Sequence, residues 1–462
     1  MHEPSNSEDI HSSSVHHQGY NNGKLASPKG TSVAGTSKKR SSDDIEISFQ
    51  SRPPKKKVYP VFSKPSEANE TLEITGSFQW KKLPFLPSTC LHGDNLKAEI
   101  RHKIAAFDLD GTVVKFLPSK GELEWEFWHT NMSRFLKEAH DSGHTVVLFS
   151  NQLYPEKKLV KWREKIGFIA RALREVPFLM FTSTARDGYR KPMPGMWSAL
   201  ERLANEAGVA IDKGKSFFVG DAAGRKGDFA STDRKFAENI GVKFYTPEEY
   251  FLKQSARPYG YKGTHVSELP THEGPRITPT SSPILLTNGK KPEMVLFVGF
   301  PASGKTTLFE RVFLPTGYEH VNQDTLGSRS KCLKAAEEFL RKGKSCVVDN
   351  TNRDKKTRQF YLKLAESLDI PVRCFIFKIS RELAWHNNLY RTFCLPLLSG
   401  STAAETKERK LIPYSAFVSF SQCYEEPTID EGFKEVKTVN WQFEGDAEEE
   451  RYWRMWLQID GK

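Results

Sequence analysis

Cysteine is scarce and scattered in this chain of 462 residues. The chain has no CxxC pair, and its six cysteines lie far apart in the sequence; they are Cys90, Cys332, Cys346, Cys374, Cys394 and Cys423. This pattern argues against a disulfide framework or a structural zinc site, and it favours a reducing compartment.

Long apolar runs are also lacking. No stretch reaches the roughly 18 apolar residues that a membrane-spanning helix needs, and residues 1–17 contain no apolar core typical of a secretory signal. Hydrophobic residues make up 38% of the chain and the mean hydropathy is −0.55. The composition therefore predicts a soluble intracellular protein without a membrane partner.

Positive charge is in excess. The formal net charge is +11 and the calculated isoelectric point is about 9.1. Charge does not determine a fold, but an excess of this sign favours polyanionic partners such as nucleic acid.

Residues 1–70 contain only ten Leu, Ile, Val or Phe residues. Such a segment cannot bury enough apolar surface to offset the entropy lost on ordering, so we predict a disordered tail. Its basic clusters, Lys38–Arg40 and the proline-flanked Arg52–Val58 (RPPKKKV), indicate a nuclear localisation signal and a nuclear protein. The alternative is that these charges are merely solvated.

Short apolar runs then alternate with helical patterns, which predicts parallel sheets covered by helices on both faces. The runs in the first series are 104–107, 146–149, 178–181 and 216–219, with helices expected over Glu124–Ser142 and Pro155–Glu175. A second series has runs at 294–298, 345–348 and 372–379. Residues 256–292, rich in proline and glycine, are predicted to be a linker. The predicted fold class is therefore α/β, with two doubly wound parallel-sheet domains at 76–255 and 293–462 after the tail.

A pair of carboxylates follows the first apolar run. Asp108 and Asp110 are separated by one residue at the expected carboxyl end of a strand, where open parallel sheets bind ligands. Asp108 can attack phosphorus and become an aspartyl-phosphate, while Asp110 can protonate the leaving group and then activate water. A DxDGT string alone can also be an ordinary turn.

With three later segments, this pair resembles the haloacid dehalogenase phosphatase superfamily. The segments are 147–152 (VLFSNQ), 189–195 (YRKPMPG) and 218–221 (FVGD). The resemblance implies that Ser150 binds phosphoryl oxygens and that Lys191 neutralises charge. It also implies that Asp108, Asp110 and Asp221 hold Mg²⁺, with Asp233 as a second acid and Asp228 as its alternative.

The spacing of these segments leaves no room for a cap domain. Only 41 residues separate Asp110 from Asn151, and 39 separate Gln152 from Lys191, and a helix and a strand occupy most of each gap. An uncapped site can admit the end of a polymer, so we expect a macromolecular phosphate ester as substrate.

The second series opens with a phosphate-binding loop. The strand-like run 294–298 precedes a GxxxxGK[ST] motif, and a helix is expected next. The motif comprises the expected ATP-binding residues Gly299, Phe300, Pro301, Ala302, Ser303, Gly304, Lys305 and Thr306. Its N–H groups bind phosphates, Lys305 reaches the β and γ oxygens, and Thr306 holds Mg²⁺.

Three further residues are candidates for kinase chemistry. Asp324 is the expected general base, with a helix N-cap as the alternative role. Asp349 could position Mg²⁺ through water or cap the next helix. Arg391 could stabilise the transferring phosphoryl group as a lid arginine, or be an ordinary solvated helix residue.

Both motif sets in one chain resemble the polynucleotide kinase/3′-phosphatase family over about residues 76–456. The more specific strings lie at 220–225, 297–301, 322–327, 349–352, 384–391 and 427–433. The resemblance implies removal of 3′-phosphates and ATP-dependent phosphorylation of 5′-hydroxyls at DNA strand breaks, with Mg²⁺ as cofactor. We expect the form without a forkhead-associated domain, because the tail is short and polar.

The expected partners are ATP, DNA with 3′-phosphate and 5′-hydroxyl ends, and other strand-break repair proteins. Arg225 is the best candidate for contacting nucleic acid, because it follows a motif that faces the site. RNA end healing is the alternative function. A phosphatase fused to a small-molecule kinase and a catalytically inert DNA-binding scaffold fit the sequence less well.

Overall fold

The structure, a computed structural model, describes residues 78–117, 124–261, 263, 266–269, 274–286, 291–398 and 410–458. The predicted disordered tail and localisation signal lie outside the described residues. In the described part of the chain, every helix is too short or too polar to cross a bilayer.

The first sheet has seven strands. They are Phe78–Lys81 (β1), Cys90–Asn95 (β2), Lys103–Asp108 (β3), His144–Asn151 (β6), Phe178–Ser183 (β7), Phe217–Val219 (β8) and Lys243–Tyr245 (β9), with Val114–Phe116 (β4) and Trp125–Phe127 (β5) forming a separate hairpin. The sheet order is β1-β2-β7-β6-β3-β8-β9. All pairs from β7 to β9 are parallel, and β1 and β2 add an antiparallel edge.

Helices cover both faces of this sheet. They are Met132–Asp141 (α1), Glu156–Ala172 (α2), Gly195–Glu206 (α3), Thr232–Ile240 (α4) and Pro247–Phe251 (α5), with 3₁₀ turns at Lys213–Lys215 and Val266–Glu268. Along β3, Ala105 and Phe107 belong to one apolar cluster, and Ile104 and Ala106 belong to the other. Since successive side chains of a strand point to opposite faces, a continuous apolar run means burial on both. The predicted doubly wound architecture is confirmed.

The prediction of one helix over Glu124–Ser142 is wrong in its first half. Residues Trp125–Phe127 form β5, which pairs antiparallel with β4, and the helix begins only at Met132. Trp125 and Phe127 are aromatic residues at alternating positions, and both pack against the first core cluster. An alternating aromatic pair favours a strand, and this local pattern could have shown the error.

The second sheet has six strands. They are Ile277–Thr278 (β10), Met294–Val298 (β11), Glu319–Val321 (β12), Cys346–Asp349 (β13), Val372–Lys378 (β14) and Glu435–Asn440 (β15), in the order β10-β15-β14-β11-β13-β12. Every neighbouring pair from β15 through β14, β11 and β13 to β12 is parallel, and β10 pairs antiparallel with β15. The domain bounds stay a prediction, although β10 lies inside the segment predicted as a linker.

The second sheet is also covered by helices. They are Lys305–Leu308 (α6), Gln323–Leu326 (α7), Arg329–Arg341 (α8), Lys355–Ser367 (α9), Arg381–Leu389 (α10), Leu395–Leu398 (α11), Tyr414–Cys423 (α12) and Ala447–Trp453 (α13). Single π-helical turns, Phe309–Phe313 and Tyr390–Cys394, follow α6 and α10, and 3₁₀ turns lie at Leu314–Thr316 and Ile429–Glu431. We call residues 78–261 the first module and residues 274–458 the second module.

Candidate active sites

The first site begins where β3 ends. Asp108 is buried there, and its Oδ1 lies 2.5 Å from Nζ of Lys191, which is also buried. The same ammonium lies 2.8 Å from Oδ1 of Asp233 and donates to the Phe149 carbonyl at 3.0 Å. Burial disfavours the charged form of Lys191, but the two carboxylates outweigh it and raise its pKa. The lysine is therefore a fixed positive charge beside Asp108.

Three carboxylates form a cluster around that lysine. One oxygen each from Asp108, Asp221 and Asp233 lies within 4.8 Å of the others. Burial and the neighbouring Asp233 raise the pKa of Asp221 to about 7, and burial raises that of Asp108 despite Lys191. Carboxylate oxygens are the ligands that Mg²⁺ prefers, and a bound cation would relieve this repulsion.

Two glycines leave space for these carboxylates. A β-carbon added to Gly220 would lie 2.5 Å from Oδ2 of Asp233, and one added to Gly111 would collide with Asp221. Gly111 also has a φ of +81°, in the left-handed region that glycine adopts without strain. The donor set and its surroundings therefore fit a small divalent cation.

Asp110 is placed outside this cluster, although the sequence predicts it as a metal ligand. Its Oδ2 accepts a hydrogen bond from Gln152 Nε2 at 2.5 Å and a longer one from Ser150 Oγ at 3.4 Å. Burial raises the pKa of Asp110 to about 6, against the effect of these hydrogen bonds. Two polar side chains thus hold the carboxyl group, and its raised pKa suits a general acid.

The two candidates for the second acid have different contacts. Asp233, in the first turn of α4, faces Lys191, whereas Asp228 accepts hydrogen bonds from the backbone N–H groups of Ala223 and Arg225. Asp233 joins the acid cluster, and Asp228 holds the loop that follows β8.

Arg225 does not present a free guanidinium to nucleic acid. Its Nε lies 3.0 Å from Oδ2 of Asp228, and its Nη1 lies 2.7 Å from Oε2 of Glu248. A third contact reaches the carbonyl of Asp221 at 3.2 Å. Two carboxylates already neutralise this side chain, so the observed contacts favour a role in fixing the Asp221 loop.

The second site is the loop between β11 and α6. Lys305 is buried, and its Nζ donates to the carbonyls of Gly299 and Phe300 at 3.1 and 2.5 Å and to Ser303 Oγ at 3.3 Å. Burial lowers the pKa of Lys305 to about 8. The ammonium thus lies against the loop's own backbone, where a phosphate group would find both N–H donors and a positive charge.

Thr306 and Asp349 meet at the start of α6. Thr306 Oγ1 donates to Asp349 Oδ2 at 2.6 Å, and His320 Nε2 lies 3.0 Å from the same oxygen. Burial opposes ionisation of Asp349, but the His320 and Thr306 hydrogen bonds and the charge of Lys305 outweigh it and lower its pKa. Asp349 does not cap the following helix, because Asp354 caps α9.

Asp324 lies on the exposed surface of α7. The N-cap alternative does not hold, because Asn322 is the cap and its Oδ1 accepts from the N–H of Asp324 at 2.8 Å. Asp324 is instead the second residue of the helix, in its first turn. The pKa of Lys305 is lowered by the charge of Arg391 and raised by that of Asp324, although burial has the larger effect. Arg391 Nη2 donates to Asn388 Oδ1 at 3.0 Å.

A polar cavity of about 180 Å³ lies beside α7. Its lining includes Gln323, next to Asp324, and two arginines, Arg329 and Arg353. Sequence reasoning did not identify this cavity, nor the roles of Gln152, Asn322 and His320. Gln152 and Asn322 lie within the motif strings 147–152 and 322–327, but the strings do not reveal their partners, which lie far away in the sequence. His320 lies outside these strings.

The fold and the two sites define a phosphatase of haloacid dehalogenase type joined to a P-loop kinase. Residues 103–251 match the family described as polynucleotide kinase 3 phosphatase, and residues 294–393 match the AAA domain family. A bifunctional polynucleotide phosphatase/kinase of Schizosaccharomyces pombe is 35% identical over 434 residues, which cover 92% of this chain and 100% of that protein. The chain belongs to the bifunctional polynucleotide phosphatase/kinase family, and the predicted family resemblance is confirmed.

Two further relatives differ in how much of the chain they match. A protein of Acanthamoeba polyphaga mimivirus named for the same two activities is 32% identical over 384 residues, 76% of this chain and 88% of its own. The polynucleotide 3′-phosphatase of Saccharomyces cerevisiae is 27% identical over 233 residues, 37% of this chain and 98% of its own.

Proposed function

We propose that this chain restores ligatable ends at DNA strand breaks in the nucleus. Residues 76–255 would remove 3′-phosphates and residues 293–462 would phosphorylate 5′-hydroxyls with ATP, with 256–292 connecting them. The supporting observation is that the chain has two separate sites. In the first, Asp108 is paired with Lys191 and the carboxyl group of Asp110 lies two residues further on. In the second, the phosphate-binding loop with Lys305 is accompanied by the exposed carboxylate of Asp324.

In the first site, Asp108 is the proposed nucleophile. Its carboxylate attacks the phosphorus, the bond to the 3′ oxygen breaks, and Asp110 gives its proton to that oxygen. The carboxylate of Asp110 then takes a proton from water, which attacks the aspartyl-phosphate and releases inorganic phosphate. Lys191 and Ser150 would hold the phosphoryl oxygens.

Asp108, Asp221 and Asp233 would hold Mg²⁺ in this site. When bound, the cation supplies positive charge that offsets the charge of the phosphoryl group and of the three carboxylates. The donor set supports this assignment because all three groups are carboxylates, and two of them are buried.

In the second site, Asp324 would accept the proton of the 5′-hydroxyl. The 5′ oxygen attacks the γ-phosphorus of ATP, the bond to the β–γ bridging oxygen breaks, and ADP leaves. Lys305 and Arg391 would neutralise the transferring group, and Thr306 and Asp349 would hold the nucleotide's Mg²⁺. The cavity lined by Arg329 and Arg353 could receive the acceptor strand next to Asp324.

The test uses one substrate for both activities. Wild-type protein, ATP and Mg²⁺ are incubated with a nicked DNA duplex that carries 3′-phosphate and 5′-hydroxyl ends, and an RNA substrate is run in parallel. We expect both DNA ends to be converted. Asp108→Ala should abolish phosphate release and spare 5′-phosphorylation, whereas Lys305→Ala should do the reverse. Loss of both activities in either folded variant contradicts independent sites, and preferential conversion of RNA contradicts the DNA assignment.

Nuclear location rests on the basic cluster at 52–58. Replacing its three consecutive lysines with alanine should move a fluorescent fusion of the full chain from the nucleus to the cytoplasm. Unchanged nuclear fluorescence would show that this cluster does not direct import.

A further inference from the structure

The last described segment of the second module lies on helix α4 of the first module. The N–H of Trp456 donates to Asn239 Oδ1 at 2.7 Å, and Asn239 Nδ2 donates back to the Trp456 carbonyl at 2.8 Å. The indole Nε1 of Trp456 adds a hydrogen bond to Glu238 Oε2 at 2.7 Å. Trp456 and Leu457 are almost fully buried, so this contact is a packed interface.

The same amide reaches the loop that carries Lys191. Asn239 Nδ2 also donates to the carbonyl of Pro192 at 2.8 Å. Pro192 directly follows Lys191, whose Nζ lies between Asp108 and Asp233. A single side chain thus connects α4, the lysine loop and the segment from the second module.

Helix α4 places the other partner of that lysine. Asp233 lies in the first turn of α4, six residues before Asn239. The distance between Lys191 Nζ and Asp233 Oδ1 depends on how the lysine loop sits against the helix. Asn239, near the other end of the same helix, bonds to the carbonyl of Pro192 in the lysine loop.

The second module also packs against the lysine loop directly. Met193 is fully buried in an apolar cluster with Phe393 and Leu457 of the second module. A β-carbon added to Gly188 would collide with the carbonyl of Phe393. The loop is therefore confined on one side by α4 and on the other by the second module.

We infer that Asn239 is a positioning residue for phosphate removal and that the kinase module, through Met455–Leu457, completes the support of the phosphatase site. Asn239 touches neither the nucleophile nor the proposed cation ligands. It acts by holding the loop of Lys191 and the helix of Asp233 at a fixed distance from each other. This inference rests on the proposed phosphatase activity.

The test is Asn239→Asp in the full-length protein. Aspartate has the same shape and can still accept from Trp456, but it cannot donate to the carbonyls of Pro192 and Trp456, which it would instead repel. We expect kcat for release of phosphate from a 3′-phosphorylated oligonucleotide to fall about tenfold or more, a loss of the size found when residues that orient a metal site are replaced. KM should stay unchanged, half-maximal activity should need more Mg²⁺, and 5′-kinase activity should be retained.

Two variants provide controls. Asn205→Asp makes the same charge change at an exposed position of α3 and should leave all these values unchanged. Trp456→Phe keeps the backbone groups that pair with Asn239 and most of the packing, but loses the bond to Glu238, so it should have a much smaller effect. If Asn239→Asp does not fold, Asn239→Gln, whose amide is displaced by one methylene, must show the same selective loss.

The outcomes separate this inference from the proposed function. If wild-type protein releases no phosphate, the proposed function fails. If wild-type protein is active and Asn239→Asp is equally active, only this inference fails. Parallel loss of both activities together with a lower unfolding temperature would show a merely structural role and would also overturn it.

Discussion

Gln152 donates a hydrogen bond from Nε2 to Oδ2 of Asp110 at 2.5 Å, across the edge where β6 and β3 end side by side. The same amide donates to Ser150 Oγ at 2.9 Å, which fixes the orientation of both groups. These bonds favour the carboxylate form, whereas burial favours the protonated form and raises the pKa of Asp110 to about 6. Gln152 therefore limits how far burial can raise this pKa.

Gln152→Leu should raise the pKa of Asp110 further, because the leucine cannot donate to the carboxylate. As a general acid, Asp110 is active when protonated, so kcat/KM for phosphate release falls as the pH rises through its pKa. In the variant, this descending limb should move to higher pH by about one unit, as expected for a lost hydrogen bond to a charged group. The measurement is the pH dependence of kcat/KM, with the 5′-kinase profile as an internal control. An unmoved limb would show that Gln152 does not tune Asp110.

The chemical motifs could be predicted from sequence because each occupies a few consecutive residues at the end of an apolar run. Asp108 and the GxxxxGK[ST] loop are of this kind, and the structure places both at strand ends. Gln152 lies in the 147–152 motif, but its role could not be predicted, because its partner Asp110 lies 42 residues away in sequence. The pairing of Asn239 with Trp456 spans 217 residues and depends on how two modules pack, which local patterns do not encode.

The choice between Asp233 and Asp228 has a direct test. Asp233→Asn should reduce phosphate release by about a hundredfold or more, since it removes a charge from the acid cluster and from Lys191. Asp228→Asn, the matched control five residues earlier, should weaken the loop that it holds but leave most of the activity. Activities are measured over a series of Mg²⁺ concentrations, and the Asp233 variant should need more of the cation. A larger loss in the Asp228 variant would reverse the assignment.

Asp324→Asn should reduce kcat of the kinase by about 100- to 10,000-fold, the usual contribution of a general base. The carboxylate is exposed, and the helix is capped by Asn322, so the change should not disturb α7. Binding of ATP, followed by equilibrium titration with a fluorescent analogue, should be unchanged, and so should phosphate release. A variant with normal kinase turnover would exclude Asp324 as the base and direct attention to other groups near Lys305.

His386 should make folding of the second module sensitive to acid. Its Nε2 donates to the carbonyl of Trp453 at 2.6 Å inside an apolar cluster, and burial lowers its pKa to about 4, against the opposing effect of that carbonyl. The unfolded chain takes up the proton near pH 6.5 and the folded chain only near pH 4. The free energy of unfolding is therefore unaffected by this histidine above about pH 6.5, and it decreases as the pH falls from about 6.5 to about 4.

His386→Gln can keep a donor near the same position but cannot take up a proton. Between pH 7 and pH 5, the free energy of unfolding of the wild-type protein should fall by about 2 kcal/mol more than that of the variant. Urea unfolding at the two pH values gives this difference, because other titrating groups are common to both proteins and cancel. Equal acid sensitivity in the two proteins would mean that the histidine is already charged in the folded state. The carbonyl of Trp453 would then have to stabilise a buried imidazolium, which an apolar cluster disfavours.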